Sequence, residues 1–376
     1  MLKLFLSMLL CFQVFPIFHN VELVEYGESA VLMDAYSGQV MYEKDAYKQL
    51  HPASMTKMMG MLLIYEGIND GLFNWEDRIR VSAHASSMGG SQIYLEENEE
   101  MSLEELFTAI CVSSANDAMV AVSEFISGSE TLFVEKMNQK VDELGLVNTH
   151  FSNSTGLDID NHYSCAYDMA IIAKEVLRIS NEAVTNYTSL YETYLREDTS
   201  PFWLVNTNKL IRSYEGLDGL KTGFTQKAGY CLTATAKRNG MRLIAVVMKE
   251  STKEHRNKDI KALLDYGFAN YKQTLVYPKS TIFDSMSISN GKPEKIDMIC
   301  KEDIYLVHEK KSNIEHTLEI IPLVVQAPID MNTPVGKVKI TFENGSIVES
   351  LLYARVEVQS LNFIDVLIDC FIQSLL

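Results

Sequence analysis

The sequence predicts an α+β protein of two domains. Apolar, β-forming runs occur over residues 29–42 and again over residues 217–248, and helical periodicity dominates the region between them. This order favours one sheet closed by strands that are distant in sequence. From about Leu275 the pattern changes to short β-rich runs separated by turns. A chain of 376 residues is also too long for one ordinary core.

Local patterns place the first strands and the first helix. Residues 29–34 and 40–42 are apolar-rich and flank the turn residues Ser37-Gly38, which predicts a hairpin. The segment His51-Pro52-Ala53-Ser54-Met55-Thr56-Lys57 then opens an apolar run. Because proline is tolerated before or inside a first helical turn, we expect a buried helix there that ends near Gly67.

Several further helices are predicted. Ser102-Leu103-Glu104-Glu105 is a capping-box pattern that opens a helix to about Val112. Asn116-Asp117 opens the next helix, which Gly128 ends. Helical periodicity also covers residues 132–144, 166–179 and 256–271.

The strands of the second sheet region and of the C-terminal domain complete the predicted organisation. Three strands are expected at 217–223, 229–237 and 241–248, with Arg238-Asn239-Gly240 as a hairpin turn between the last two. Later β-rich runs lie at 304–307, 318–325, 336–342 and 346–356. The resulting divisions are a signal peptide (1–20), a mixed α+β domain (21–274), a β-sandwich domain (275–358) and an amphipathic helix (359–376).

The two ends of the chain predict export and surface attachment. Lys3 precedes an apolar run over residues 4–18, which has the form of a secretory signal. A membrane anchor, for which the run is short, and a buried strand are the alternatives. In the tail, one helical face carries Asn362, Asp365, Asp369 and Gln373, and the rest is apolar. Such a helix could lie in a membrane interface or pack on a partner surface.

Charge and cysteine usage exclude some functions. The formal net charge of −17 argues against nucleic-acid binding, which needs a basic face. The six cysteines form no C-x-x-C pair or His/Cys cluster, so no metal site is predicted.

Three short motifs carry the candidate chemistry. Ser54 and Lys57 are three residues apart at a helix start, so hydroxyl and amine share a face. Ser114-Ala115-Asn116 lies in the break between two helices, and Lys221-Thr222-Gly223 lies on a strand before a hairpin. Taken singly, each motif has a structural explanation as a helix cap or an exposed lysine. Their order and context together favour an activated serine, which needs an adjacent base and an oxyanion hole.

The motif set resembles that of low-molecular-mass penicillin-binding proteins of the D-alanyl-D-alanine carboxypeptidase family. The resemblance covers almost the full length and includes the segments Gly89-Gly90-Ser91, Phe151-Ser152-Asn153-Ser154-Thr155-Gly156-Leu157, Tyr163-Ser164-Cys165-Ala166-Tyr167-Asp168-Met169-Ala170 and Lys227-Ala228-Gly229-Tyr230. It implies a β-lactamase/transpeptidase-like domain, with an antiparallel sheet, flanking helices and a helical subdomain, followed by a small β-sandwich. The family's basic tail residues are missing here, because no basic residue follows Arg355.

The resemblance also implies roles for the first two motifs. Ser54 would be the acylated nucleophile and Lys57 its general base. Ser114 would relay a proton to the leaving amine. Asn116 would orient Lys57 and bind the substrate amide. No metal or cofactor is required.

The same resemblance assigns substrate binding to the third motif and its surroundings. Lys221 and Thr222, with Arg256, would hold the terminal carboxylate. Gly223 would let the substrate backbone approach the strand, where a side chain would clash. Backbone N–H groups of Ser54 and Phe224 would form the oxyanion hole.

The implied function is a serine-type D-Ala-D-Ala carboxypeptidase that trims peptidoglycan stem pentapeptides outside the cytoplasmic membrane. β-Lactams would be covalent inhibitors. The alternatives are a β-lactamase or esterase on the same fold, or a non-catalytic cell-wall-binding scaffold. Ala115 stands where class A β-lactamases usually carry Asp, and no convincing E-x-x-L-N segment is present, so the carboxypeptidase is favoured.

Overall fold

The computed structural model describes residues 22–197, 199–312, 314–343 and 347–361. In chain order the strands are β1 (Ser29–Asp34), β2 (Val40–Lys44), β3 (Arg78–Arg80), β4 (Glu100–Ser102), β5 (Glu192–Leu195), β6 (Phe202–Val205), β7 (Leu217–Thr225), β8 (Gly229–Arg238), β9 (Met241–Glu250), β10 (Tyr271–Tyr277), β11 (Ile282–Ser287), β12 (Gly291–Lys292), β13 (Lys295–Ile299), β14 (Ile304–Glu309), β15 (His316–Pro322), β16 (Pro334–Phe342), β17 (Ile347–Ala354) and β18 (Gln359–Ser360). The helices are α1 (Lys57–Asn69), α2 (Ala83–Ser86), α3 (Leu103–Val112), α4 (Asn116–Ser127), α5 (Glu130–Glu143), α6 (Ala166–Ile179), α7 (Thr185–Thr188) and α8 (Lys253–Asn270), with 3₁₀ turns at Ala53–Thr56 and Lys209–Arg212.

The central sheet confirms the predicted closure by distant strands. Its order is β2-β1-β9-β8-β7, and β1 pairs antiparallel with β9. Side chains alternate across a strand, so β9 serves two cores. Ile244, Val246 and Met248 pack into a large cluster with the helices before β7, whereas Leu243 and Val247 pack into a second cluster with α8. The α+β class is therefore confirmed.

The helices follow the predicted signals closely. Ser102 and Glu105 form the complete capping box at the start of α3. Gly128 ends α4 in the left-handed conformation, with φ +81°. Helix α8 begins three residues before the predicted residue 256, because Thr252 caps it by accepting the N–H of His255. Its predicted last residue, Tyr271, instead opens β10.

The C-terminal part is a β-sandwich. A five-stranded sheet, β11-β13-β17-β16-β15, and the pair β10-β14 share one core that includes Met298, Leu306 and Val338. Because β10 belongs to this sandwich, the β-rich part begins at Tyr271, slightly before the predicted residue 275.

The predicted terminal segments fall mostly outside the description. Residues 1–20, predicted as a signal peptide, lie outside the described residues, and so does 362–376 of the predicted tail helix. The first two residues of that predicted helix, Gln359 and Ser360, instead pair as a strand with β12. None of the helices in the described ranges is long and apolar enough to cross a membrane.

Candidate active site

Ser54 lies in the 3₁₀ turn that leads directly into α1. The turn starts after Pro52, and Ala53 holds a φ of +48°. Ser54 is half-buried, whereas Met55 and the following residues of α1 are buried in the large core. The buried helix therefore fixes the turn in place while one hydroxyl remains accessible.

Two glycines allow other segments to pack tightly against this turn. At Gly156, which has a φ of +86°, a Cβ would lie only 1.9 Å from the carbonyl oxygen of Ala53. At Gly223 on β7, a Cβ would lie 2.7 Å from the carbonyl oxygen of Pro52. A side chain at Gly223 would therefore already collide with this turn, and the expected close approach of a substrate to Gly223 stays a prediction.

The amine of Lys57 is the centre of the site. It lies 3.1 Å from Ser54 Oγ, 2.7 Å from Asn116 Oδ1 and 2.7 Å from the carbonyl oxygen of Thr155. The side chain is fully buried. Burial lowers the pKa of Lys57 well below its ordinary value, and the charge of Lys221 lowers it further. A neutral amine at this position is the state that the surroundings favour.

Asn116 is held from both sides in the orientation that faces Lys57. Its Nδ2 donates to the carbonyl of Gly89 at 2.7 Å, and its backbone N–H donates to Ser91. Because Nδ2 needs an acceptor and Oδ1 needs a donor, the amide orientation follows from these partners. The Gly89-Gly90-Ser91 segment thus aims Oδ1 at Lys57.

Ser114 lies in the break between α3 and α4 with a φ of +65°. The residue is buried, and its hydroxyl has no hydrogen-bond partner among the described residues. Buried hydroxyl groups are normally paired, since leaving one unpaired costs about 1–3 kcal/mol. An unpaired hydroxyl held in the left-handed region is a feature found at functional sites.

The Lys-Thr-Gly motif lies on the edge strand β7 of the central sheet. Lys221 is buried and donates to the carbonyl of Thr222. Burial lowers the pKa of Lys221 to about 7, the nearby Cys111 thiol opposes this, and the Arg256 charge lowers it further. The Thr222 hydroxyl lies 2.7 Å from that of Thr207, which no sequence signal had pointed to.

Two further predicted substrate-binding residues are Phe224, which follows the motif on β7, and Arg256. The Phe224 side chain is exposed and stacks on Tyr230, with ring centroids 4.3 Å apart. Arg256 lies in the first turns of α8, is buried, and donates to the Asn257 side chain. Its charge nevertheless acts on Lys221, so it belongs to the surroundings of the motif.

His162 supports the site as a structural residue. Its Nδ1 accepts the N–H of Ser152, so the proton lies on Nε2, which donates to Thr56 at 2.8 Å. Burial lowers the pKa of His162 to about 4. A neutral imidazole therefore supports the helix that carries Lys57.

Thr155 and Glu130 were not singled out by sequence reasoning. Thr155 lies within a segment whose resemblance to the family was noted, but no pattern showed that its carbonyl faces Lys57. Glu130 is the first residue of α5 and binds Ser154.

Across the described ranges, no three His, Cys, Asp or Glu side chains group closely enough to hold a metal ion.

Two family models match this chain. The family model described as D-alanyl-D-alanine carboxypeptidase (peptidase S11) matches residues 23–252. The model for the C-terminal domain of penicillin-binding protein 5 matches residues 271–360.

Individual relatives match over most of their length. The chain is 44% identical over 346 residues to D-alanyl-D-alanine carboxypeptidase DacF of Bacillus subtilis (strain 168), which covers 91% of this chain and 88% of that protein. It is 32% identical over 353 residues to DacA of Escherichia coli (strain K12), covering 91% and 86%.

A solved structure of penicillin-binding protein 5 from Haemophilus influenzae superposes with a TM-score of 0.73 and 31% identity, covering 89% of this chain and 98% of that one. Penicillin-binding protein D2 from Listeria monocytogenes in its ampicillin-bound form gives a TM-score of 0.59 and 30% identity, covering 64% and 97%. The chain therefore belongs to peptidase family S11 and is a serine-type D-alanyl-D-alanine carboxypeptidase of the low-molecular-mass penicillin-binding protein class.

Proposed function

We propose that Ser54 carries the acyl intermediate and that Lys57 activates it, so that the enzyme removes the terminal D-alanine of peptidoglycan stem pentapeptides. The hydrogen-bond set of Lys57 is the observation that carries this proposal. Asn116 Oδ1 and the Thr155 carbonyl can only accept hydrogen bonds, whereas the Ser54 hydroxyl can also donate.

A neutral amine fits these three partners completely. It has two N–H groups and one lone pair, so it donates to Asn116 and Thr155 and accepts from Ser54. Attack by Ser54 Oγ on the carbonyl between the two D-alanines then transfers the hydroxyl proton to Lys57. The new C–O bond forms first, and the peptide C–N bond breaks in the next step.

Ser114 completes the proton path to the leaving group. The departing D-alanine needs a proton on its nitrogen, and the buried Ser114 hydroxyl is free to accept one from Lys57 while it donates its own. Water then attacks the acyl-Ser54 ester and passes a proton to Lys57. The acyl C–Oγ bond breaks, the shortened peptide leaves with a new carboxyl group, and Lys57 returns the proton to Ser54 Oγ. No group other than water enters the balance.

The terminal carboxylate is assigned to the Lys221-Thr222 edge of β7. A buried cation and a hydroxyl suit a carboxylate that leaves water. Arg256 adds positive charge to this region at longer range. Gly223 brings β7 against the turn of Ser54, and the backbone N–H groups of Ser54 and Phe224 form the oxyanion hole in this scheme.

Acylation by penicillin tests the nucleophile. We expect intact-mass measurement to show one bound penicillin, with peptide mapping that assigns it to Ser54. Release of D-alanine from a pentapeptide ending in D-Ala-D-Ala should require the same residue. Hydrolysis of the bound penicillin within seconds would favour a β-lactamase instead, and absence of any adduct would favour a scaffold.

The location of the enzyme is a second part of the proposal. The signal-like residues 1–20 and the amphipathic sequence pattern of the tail from Leu361 support an exported enzyme that acts at the outer face of the cytoplasmic membrane. Deletion from Leu361 onward should release the protein from membranes and leave its activity unchanged. Unchanged attachment would show that another segment holds it.

A further inference from the structure

Glu130 connects the start of α5 to the segment that faces Lys57. Only 18% of its side chain is exposed. Its Oε1 accepts both the N–H of Ser154 at 3.0 Å and the hydroxyl of Ser154 at 2.7 Å. Its Oε2 lies 3.1 Å from Nε2 of His84. The carboxylate is thus held by Ser154 on the inner side and by His84 on the outer side.

Ser154 belongs to a tight turn that ends at the catalytic residues. Asn153 Oδ1 accepts the N–H groups of Thr155 and Gly156, at 3.1 and 2.7 Å. The carbonyl of Thr155 then accepts from Lys57, and Gly156 packs against Ala53. The peptide link from Ser154 to Thr155 therefore places Glu130 two hydrogen bonds away from the Lys57 amine.

The charge of Glu130 also acts on Lys57. Burial raises the pKa of Glu130, but the hydrogen bonds from Ser154 and His84 outweigh it, and the pKa is below its ordinary value. The carboxylate is therefore ionised, and it raises the pKa of Lys57 against the effects of burial and of Lys221.

Other titratable groups also act on Lys57. Asp117 of α4 acts in the same direction as Glu130, and Lys221 of β7 acts in the opposite direction. Asp117 is committed to the backbone N–H groups of Ile93 and Leu95, so it holds a different loop. His162 is neutral. Asp117 directly follows Asn116, but the Asn116 side chain is oriented by its bond to Gly89 rather than by Asp117. Glu130 instead holds Ser154, the residue that precedes Thr155 in the turn facing Lys57.

We propose that Glu130, which touches no reacting atom, is a positioning residue for acylation: it holds the Thr155 carbonyl against Lys57 and places a negative charge behind that amine. The proposal rests on the role of Lys57 as general base. A purely structural carboxylate would affect folding but would leave the pH profile of acylation in place.

The test compares acylation rates with penicillin across pH in the full chain. Glu130→Gln keeps an oxygen for Ser154 and removes the charge, Glu130→Asp keeps the charge and shortens the reach, and Glu130→Ala removes both. Glu143→Gln on the same helix is the matched control, because Glu143 is exposed and pairs with Lys140.

We expect a specific pattern among these variants. In Glu130→Gln the acid limb of acylation should move to lower pH by about half a unit or more, since Lys57 loses its proton more easily. In Glu130→Asp the limb should stay while the rate falls, because the turn loses its support. Glu130→Ala should acylate about tenfold more slowly or worse at every pH. Glu143→Gln should match the wild type.

Two results would overturn the inference. One is a Glu130→Gln profile that superimposes on the wild type. The other is a folded Glu130→Ala protein that acylates at the wild-type rate. If Glu130→Ala does not fold, the pH profiles and acylation rates of Glu130→Gln and Glu130→Asp still test the inference. Failure of the proposed function is distinguishable, because the wild-type protein itself would then carry no adduct on Ser54.

Discussion

The amine of Lys57 lies 3.1 Å from the hydroxyl of Ser54 in a position that is buried from water. Its two other hydrogen-bond partners, Asn116 and Thr155, offer neutral oxygens rather than carboxylates. A buried ammonium is costly without a directly paired anion, so this arrangement favours the neutral, nucleophile-activating form. The burial that makes Lys57 a suitable base therefore also lowers the stability of the folded protein.

Replacement of Lys57 by methionine separates the effect of the amine on acylation from its effect on stability. We expect Lys57→Met to lower the penicillin acylation rate by about 10³-fold, because the base is lost. The free energy of unfolding should change by less than about 2 kcal/mol, since relief from burying an amine offsets the loss of donors to two buried acceptors. Intact mass and urea unfolding measure both effects.

The control for this prediction is Lys136→Met, which removes an exposed lysine on α5 and should change neither quantity. Acylation of Lys57→Met at a near wild-type rate would show that another group activates Ser54.

The pKa of Lys221 predicts how kcat/KM should change at alkaline pH. Burial and the charge of Arg256, against the effect of Cys111, give Lys221 a pKa of about 7. A lysine is a cation below its pKa, so carboxylate recognition by the free enzyme should weaken as pH rises through this value. We expect kcat/KM for a peptide with a free terminal carboxylate to fall above about pH 7, with the limb for kcat at higher pH.

The variant Lys221→Arg tests the assignment, because a guanidinium stays charged throughout this range. The alkaline limb of kcat/KM should disappear in this variant even if its absolute value drops. A limb that persists at the same pH would belong to another group.

Much of the fold could be predicted because its signals are local. The capping box of Ser102 and Glu105 and the left-handed Gly128 act within one helical turn. The hairpin of β5 and β6 was missed, because the short apolar stretch before Val205 gives no clear alternation and lacks a Gly- or Asn-containing two-residue turn.

In the candidate site, too, the local contacts could be predicted and the long-range contacts could not. Spacing along one helix turn brings Ser54 and Lys57 together, and this was predicted. The contact between Lys57 and Thr155 joins residues 98 positions apart, and no periodicity encodes it. Thr207 reaches Thr222 only because the chain after β6 returns to β7. Such contacts depend on tertiary packing, which the motifs do not record.

The close approach of Gly156 to the turn of Ser54 predicts that a side chain at position 156 would lower both stability and acylation. Gly156→Ala would place a Cβ 1.9 Å from the Ala53 carbonyl oxygen, so backbone must move. We expect a loss of about 3 kcal/mol or more in unfolding free energy, together with a large loss of acylation. Thermal unfolding and penicillin labelling measure the two effects.

Gly145→Ala is the matched control. Gly145 also has a positive φ, +69°, but a Cβ there would meet nothing within 4 Å. Its alanine variant should lose only about 1 kcal/mol from backbone strain and keep full acylation. Equal effects at the two sites would mean that strain alone, and not the contact with the turn of Ser54, explains the glycine at 156.

A buried carboxyl group at the end of β9 predicts how stability depends on pH. Glu250 is 1% exposed, and neither carboxylate oxygen has a hydrogen-bond partner among the described residues. Burial and the adjacent Asp259 raise its pKa to about 8, against the opposing charges of Lys44 and Arg256. Between the ordinary glutamate pKa and this value, the folded protein holds a proton that the unfolded chain has released.

Unfolding in that window releases the proton, so the contribution of Glu250 makes stability fall as pH rises from about 5 to about 8. Glu250→Gln is neutral at every pH and should remove this fall. We expect the variant to exceed the wild type in unfolding free energy by about 3 to 4 kcal/mol more at pH 8 than at pH 5. Urea unfolding at both pH values gives the difference.

Buried His162 has the opposite effect on stability, which rises with pH as the histidine of the unfolded chain loses its proton. Because His162 is present in both proteins, its contribution cancels in the comparison. Parallel pH dependence in wild type and variant would show that folding does not raise the pKa of Glu250. Glu143→Gln, which removes an exposed carboxylate, should show that parallel behaviour.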